Sequence, residues 1–335
     1  MSETHEDDGA AAVEPVAEVS ADGELEGGGA PGEVRVGEVS AGEAATPGLL
    51  LRAGMPVVIL DRRRREYYDV LDEGRTSNVR GDRIPHEALI GQPDGARFET
   101  PKGRIFRVFA ATIVQQALNM KRHATIIYPK DVGPILLWGD IYPGATVVEG
   151  GFGSGALSMA LLRAIGEAGR LITYENRESS ANTARKNVAA MMGGPPSNHE
   201  VRLADIYEGI DAVGVDRVVL DVPEPWQVVP HAAECLRDGG ILVAYMPTTL
   251  QLQQFALAVL DHPAFATTEC MEVMLRGWYV TRQSVRPEQQ MVGHTGFLAF
   301  SRRAARPRSG GADERDRGDG ESGEGGDEGE RGEGA

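Results

Sequence analysis

The chain has 335 residues, a formal net charge of −16 and two cysteines, and no apolar run reaches the ~18 residues that a membrane-spanning helix needs. Such a length allows one large or two modest domains, and two cysteines exclude a disulfide-stapled scaffold. The N-terminus is acidic and lacks an apolar segment, so neither a secretory signal nor a membrane span is expected.

The acidity is unevenly spread. Residues 1–48 hold 12 acids and one Arg, residues 304–335 hold 10 acids and five Arg, and residues 49–303 hold 28 of each sign. Both ends are rich in Gly, Glu, Asp and Ala and poor in aromatics, so 1–48 and 304–335 read as disordered acidic tails. Tails of this kind solubilise, and they can also repel non-specific RNA. With the charge confined there, the acidic total does not exclude a nucleic-acid substrate. Lys is scarce, four against 30 Arg, a skew that reads as compositional.

Taken in order, Met55 to Leu60 reads as a strand, Arg62 to Arg65 as a basic turn and Tyr67 to Leu71 as the returning strand. Arg75, Arg80 and Arg83 fall in a loop containing Gly and Asp. Ala96 to Thr100 and Ile105 to Phe109 flank a Pro101-Lys102-Gly103 turn and read as a hairpin. These pieces make a small β-rich domain, residues 49–115. Its arginines are either a phosphate-contacting face or ordinary solvated charge. Ile113 to Met120 reads as a connecting helix. Pro129 forces Tyr128 towards an extended backbone, and Asp131 is placed to cap the helix that follows.

Residues 116–303 then alternate strands and helices. Val147-Val148 leads into Glu149-Gly150-Gly151-Phe152-Gly153-Ser154-Gly155, followed by an apolar-periodic helix from Ala156 to Ile165. Arg170 to Tyr174 is the next strand, with Glu175 at its end. Ser179 to Met192 is a helix, Val201 to Leu203 a strand with Asp205 beyond it, and Asp216 to Leu220 a strand ending at Asp221. A helix from Val228 to Leu236 stops at Asp238-Gly239-Gly240. Strand Ile241 to Tyr245, helix Thr249 to Leu260 and closing strands Cys270 to Leu275 and Gly296 to Phe300 complete the order. The pattern is α/β: a doubly wound, mostly parallel sheet with helices on both faces, preceded by the small N-terminal β-rich domain. Cys235 and Cys270 stand singly among apolar residues and read as free, buried thiols of a reducing compartment.

Ligands of such sheets bind at the carboxyl ends of strands. Glu149, Glu175, Asp205 and Asp221 fall at four successive strand ends on this reading. The glycines at 151, 153 and 155 permit a tight turn and close approach of a ligand to the helix N-terminus. A merely structural glycine turn would look the same in isolation. Glu175, however, stands 20 residues past Gly155, where a ribose diol needs an acceptor. In Asp221-Val222-Pro223-Glu224-Pro225-Trp226, prolines fix the direction of Asp221. That carboxylate can accept from an exocyclic amine while the aromatic packs on a base. A helix-capping Asp with Trp226 in the core is the alternative. No metal-ligand spacing is present.

The loop Glu149 to Gly155 resembles the first motif of S-adenosylmethionine (SAM) methyltransferases. Together with Tyr128-Pro129-Lys130-Asp131, Tyr174-Glu175, Leu220-Asp221…Glu224-Pro225-Trp226, Val243-Ala244-Tyr245, Arg276-Gly277-Trp278, Val285-Arg286-Pro287 and Gly293-His294-Thr295-Gly296-Phe297-Leu298, it resembles the TrmI-type tRNA (adenine-N1) methyltransferases over about residues 50–303. The resemblance implies a Rossmann-like SAM-dependent methyltransferase fold, a cytoplasmic tRNA-modifying enzyme acting at position 58 of the T-loop, and a homotetramer needing neither metal nor membrane. It implies SAM binding by Glu149, Gly151, Gly153, Ser154, Gly155, Ala156, Leu157, Glu175, Ser180, Asp205 and Asp221. Asp221 would be the catalytic carboxylate, with Tyr128 and Tyr245 flanking the target adenine and the N-terminal domain aiding tRNA binding. Phe152 departs from the family pattern and introduces bulk beside the sulfonium. Ser180 stands where relatives carry His or another polar residue, and Thr76 to Val79 replaces a His-containing stretch. A methyltransferase acting on another acceptor, or a non-catalytic RNA-binding subunit, are the other readings.

Overall fold

The computed structural model describes residues 35–36, 48–122 and 124–305. Most of the two acidic stretches read as tails lies outside the described residues. Within the first, Arg35–Val36 forms β1.

The N-terminal strands are β2 (Pro56–Asp61), β3 (Glu66–Val70), β4 (Thr76–Val79), β5 (Asp82–Pro85), β6 (Arg97–Glu99) and β7 (Ile105–Ala110). Four of them join β1 in an antiparallel sheet of order β1-β6-β7-β2-β3. Leu51, Ile59, Leu71, Phe98 and Phe106 fill its core, with the two phenylalanine rings stacked at 5.6 Å. The expected loop around Arg75–Arg83 is instead the β4–β5 hairpin. Arg80 and Gly81 both take positive φ (54° and 80°), the geometry of a two-residue hairpin turn. Ser77 and Val79 point inward while Thr76 and Asn78 face solvent. Apolar content is too low here for the alternation to show in the sequence.

Two helices, α1 (Ile113–Asn119) and α2 (Pro129–Trp138), lead into the second sheet. Its elements are β8 (Thr146–Gly150), α3 (Ala156–Ile165), β9 (Arg170–Glu175), α4 (Glu178–Met192), β10 (His199–Leu203), β11 (Val215–Leu220), α5 (Val229–Cys235), β12 (Leu236–Met246), α6 (Thr249–Leu260) and β13 (Phe265–Glu272). A short hairpin follows, β14 (Trp278–Val280) with β15 (Val285–Pro287), and β16 (Phe297–Arg303) ends the described fold. The strand order is β10-β9-β8-β11-β12-β16-β13. The first five run parallel and β16 runs antiparallel to both neighbours. Alternating strand residues feed two cores. Val147 and Val219 pack with Ile135, Leu161 and Val188 of α2–α4, whereas Val148 and Val218 pack with Ala232, Phe255 and Val259 of α5 and α6.

Several local expectations change. Asp131 does not cap α2. The helix starts at Pro129 behind Tyr128, and Asp131 lies buried in its first turn. Asp238-Gly239-Gly240 does not separate α5 from its strand. It lies inside β12, where the pairing with β11 slips from Val215↔Leu236 to Arg217↔Ile241. The strand expected from Cys270 to Leu275, β13, ends at Glu272 and so excludes Leu275. Cys235 is buried as expected, but Cys270 is exposed, because β13 is the edge strand of the sheet. Cys270 and Cys235 are both free.

Arg217 is the largest fully buried side chain, a cation inside the strand that reads Asp216 to Leu220. Its guanidinium donates to the carbonyl of Gly139 (2.6 Å), to Asp140 Oδ2 (2.5 Å) and to the carbonyl of Asp216 (2.8 Å), and it lies over the Tyr142 ring. It ties the end of α2 to the start of β11. Replacing Arg217 by Ala leaves the buried Gly139 carbonyl without its donor, while the exposed Asp140 carboxylate turns to water. Urea denaturation is expected to show a loss of about 1–3 kcal/mol, the cost of leaving a buried acceptor without its partner.

Candidate active site

The glycine loop is built by the exit from β8. Gly151 has φ +87°, and a Cβ there would stand 2.3 Å from the carbonyl oxygen of Asp221. Only glycine fits. The Gly151 N–H donates to the Tyr174 carbonyl (3.1 Å), and the Asp221 N–H donates to the Gly150 carbonyl (2.8 Å). The loop is therefore held against the ends of both neighbouring strands. From α4, Asn187 donates to the carbonyls of Ser154 and Lys121, each at 2.9 Å. Ser154 Oγ is buried and, among the described residues, has no hydrogen-bond partner.

A cavity of about 410 Å³ opens at this edge of the sheet. Of the residues singled out in the sequence, Gly151, Gly153, Glu175, Asp205, Asp221 and Tyr245 line it. One Glu175 oxygen accepts from the Arg177 N–H at 2.9 Å. One Asp205 oxygen accepts from the Tyr207 N–H at 3.0 Å. The other Asp205 oxygen accepts from Asn176 Nδ2 at 3.4 Å, and the other Glu175 oxygen is available to a polar ligand. Asp221 accepts no hydrogen bond among the described residues, and burial pushes its carboxyl up to about 7. Burial also raises the phenol of Tyr245, as do the charges of Asp131 and Asp221 and the neighbouring Tyr128.

The other singled-out residues do not line the cavity. Glu149 lies wholly beneath the loop, where Ser158 Oγ (2.6 Å) and Thr173 Oγ1 (2.7 Å) bond its carboxyl. Gly155 precedes α3, and Ala156 and Leu157 start that helix with their side chains in the core. Ser180 is half-buried in the first turn of α4. Tyr128 sits ahead of α2. Phe152 does not crowd the cavity: its ring is buried in the core, edge-on to His199 at 5.3 Å. Trp226 belongs to the short helical turn after the Asp221 loop and stays outside the cavity.

Tyr207 and Gln251 are among the wall residues that escaped the sequence reading. The Tyr207 hydroxyl accepts from the Glu224 N–H at 2.9 Å, joining the Asp205 and Asp221 loops. Gln251 closes the capping box of α6 and donates to the Pro223 carbonyl at 2.9 Å. The Thr-x-x-Gln spacing signals the cap, but nothing local signals its reach to Pro223. Among the described residues no cluster of His, Cys, Asp and Glu could hold a metal ion, and no helix is long and apolar enough to cross a membrane.

This strand order, with its one antiparallel strand and a glycine loop at the carboxyl edge, defines a Rossmann-like SAM-dependent methyltransferase fold. The solved structures agree. A SAM-dependent O-methyltransferase from Thermotoga maritima superposes with TM-score 0.72 at 29% identity, covering 77% of this chain and 96% of that one. The tRNA (m1A58) methyltransferase TrmI from Aquifex aeolicus gives 0.67 at 26% identity, covering 77% and 100%. Residues 106–286 match the family described as tRNA methyltransferase complex GCD14 subunit. The chain belongs to this family of TrmI-type tRNA methyltransferases. It is 36% identical over 249 residues to the tRNA (adenine(58)-N(1))-methyltransferase TrmI of Thermus thermophilus, spanning 74% of this chain and 96% of that protein. It is 34% identical over 233 residues to the adenine-57/adenine-58 enzyme of Methanocaldococcus jannaschii, spanning 62% and 82%.

Burial holds the Glu149 carboxyl at about 8, against an ordinary value of 4.5. The folded protein therefore keeps Glu149 protonated while the unfolded chain ionises it. Its contribution to stability is complete below 4.5 and is lost as pH rises towards 8. Glu149→Gln keeps the shape and removes the proton. Urea denaturation from pH 5 to 8 is expected to show the wild type losing stability relative to the variant as pH rises. Parallel pH profiles would contradict this placement.

Proposed function

We propose that this protein transfers the methyl group of SAM to N1 of adenine 58 in the T-loop of tRNA, giving 1-methyladenosine. The observation that carries the reading is Asp221: an acid with no hydrogen-bond partner among the described residues, in the same cavity as Glu175, Asp205 and Tyr245. Family membership and the relatives' named activity support the same substrate.

The residues fit the cofactor. Glu175 suits the ribose hydroxyls, Asp205 the adenine side, and the Gly151–Gly155 loop with the unpaired Ser154 hydroxyl suits the methionine end. When bound, SAM supplies a methyl group on a sulfonium, already activated for displacement. The protein's main task is then to align two reactants. N1 lies on the pairing edge of adenine, so the base has to leave its stack to enter the cavity. Tyr245 offers a flat wall for it. As a carboxylate, Asp221 accepts a hydrogen bond from the exocyclic N6 amine and stabilises the positive charge that develops on the base. It need not act as a strong base, because N1 of neutral adenine has a free lone pair. The arginines of the N-terminal β-strands, residues 49–115 in this reading, supply phosphate contacts.

The sign of the pH dependence follows. Below about 7 Asp221 is protonated, and above it the accepting carboxylate is present. Purified protein, labelled SAM and unmodified tRNA transcript are expected to yield 1-methyladenosine, abolished by changing the T-loop adenine. The kcat/KM for tRNA is expected to rise with pH through about 7. Asp221→Ala is expected to lower turnover by at least ~10²-fold, with SAM affinity mostly retained. Methyl transfer elsewhere, or near-wild-type turnover by the variant, would overturn the proposal.

A further inference from the structure

Two segments singled out in the sequence, Tyr128 to Asp131 and Gly293 to Leu298, meet behind Tyr245. The first turn of α2 holds a buried ion pair. Lys130 Nζ donates to Asp131 Oδ1 at 2.8 Å, and the two side chains are 5% and 0% exposed. Lys130 also donates to the carbonyl of Val273, just past β13, at 2.6 Å. The other carboxylate oxygen, Asp131 Oδ2, accepts from Thr295 Oγ1 at 2.5 Å. The carbonyl of Thr295 in turn accepts from the Tyr245 hydroxyl at 2.6 Å. Gly296 leaves space for the ring, since a Cβ there would stand 2.5 Å from Tyr245 Cζ. His294 anchors the same strap to the Pro247 carbonyl (2.9 Å) and to Glu272 (2.7 Å). Pro247, like Tyr245, lines the cavity.

A buried ion pair is a poor stability device, because desolvation offsets most of its attraction. What it supplies is direction. Lys130 fixes the Asp131 carboxylate, the carboxylate fixes the Thr295 hydroxyl, and the Thr295 backbone fixes the end of the Tyr245 ring. We infer that Asp131 is a positioning residue, acting through Thr295 to set Tyr245 as the wall on which the acceptor base packs. This rests on the reading of the cavity as the acceptor pocket.

The test uses Thr295→Val, which removes the hydroxyl and keeps the carbonyl, with Thr295→Ser as the rescue. Removing Asp131 itself would strand Lys130 without a counter-charge and threaten folding. In single-turnover methyl transfer to tRNA transcript, T295V is expected to be about 10-fold slower, within what a small misplacement of reacting groups costs. SAM affinity is expected to hold and T295S to restore the rate. In a Tyr245→Phe background, which already lacks the hydroxyl, T295V is expected to cost nothing further. Fluorine NMR of fluorotyrosine-labelled protein needs no tRNA. The Tyr245 resonance, assigned by its loss in Y245F, is expected to shift in T295V and return in T295S. An unchanged Tyr245 resonance in T295V, or an undiminished T295V effect in the Y245F background, overturns the inference. Absence of transfer to any tRNA by the wild type overturns the functional reading instead, and the resonance then decides the positioning role alone.

Discussion

The ends of β8 and β11 stand so close that no side chain fits between them. A Cβ on Gly151 would meet the Asp221 carbonyl at 2.3 Å, and the Asp221 N–H bonds the Gly150 carbonyl at 2.8 Å. That approach joins the glycine loop and the Asp221 loop into one wall. It exists because β8 and β11 are adjacent parallel strands whose helices, α3 and α5, leave to opposite faces of the sheet. A crevice opens where connections diverge in this way. The two proposed reactants meet at that divergence, and the remaining site residues are arranged around it.

Electrostatics sort the acids of this edge into different tasks. Glu175 and Asp205 each use one oxygen on a local backbone N–H, which fixes their direction; the other Glu175 oxygen is left for a ligand, and the other Asp205 oxygen also accepts from Asn176 Nδ2 at 3.4 Å. Asp221 is raised to about 7 by burial alone, so a cation or an amine entering the cavity favours its ionised form. Glu149, beneath the loop, is held neutral and bonded to Ser158 and Thr173. A second hydroxyl-linked group, His199, bonds Thr173 at 2.9 Å and is pushed down to about 4 by burial and Arg185, which keeps it uncharged beside Phe152. The layer under the loop is thus uncharged, and the charge is reserved for the cavity.

Where signals are local, the sequence reading and the structure coincide. The glycine loop, Glu175 at the end of β9 and Asp221 at the end of β11 lie where periodicity and spacing put them. Where partners are distant in the chain, the reading fails. Asp131 has the spacing of a helix cap, but its partners are Lys130 and Thr295, the second 164 residues away. Phe152 looks obstructive only until its ring is placed in the core. Arg217 interrupts an apolar strand for a reason that lies in Gly139 and Asp140, 77–78 residues earlier. Cys270 has an apolar neighbourhood in sequence but an edge strand in space. Tyr207 and Gln251 gain their roles at the cavity from loops that chain order does not bring together.

The central claim is that nucleoside and acceptor share the cavity at the carboxyl edge of β8, β9 and β11. Its most direct test is a crystal structure of the protein grown with S-adenosylhomocysteine. The account predicts density for the nucleoside with its ribose hydroxyls on Glu175, its adenine beside Asp205 and its thioether facing Asp221. A ligand bound elsewhere, or in this cavity with the sulfur turned away from Asp221, would contradict it.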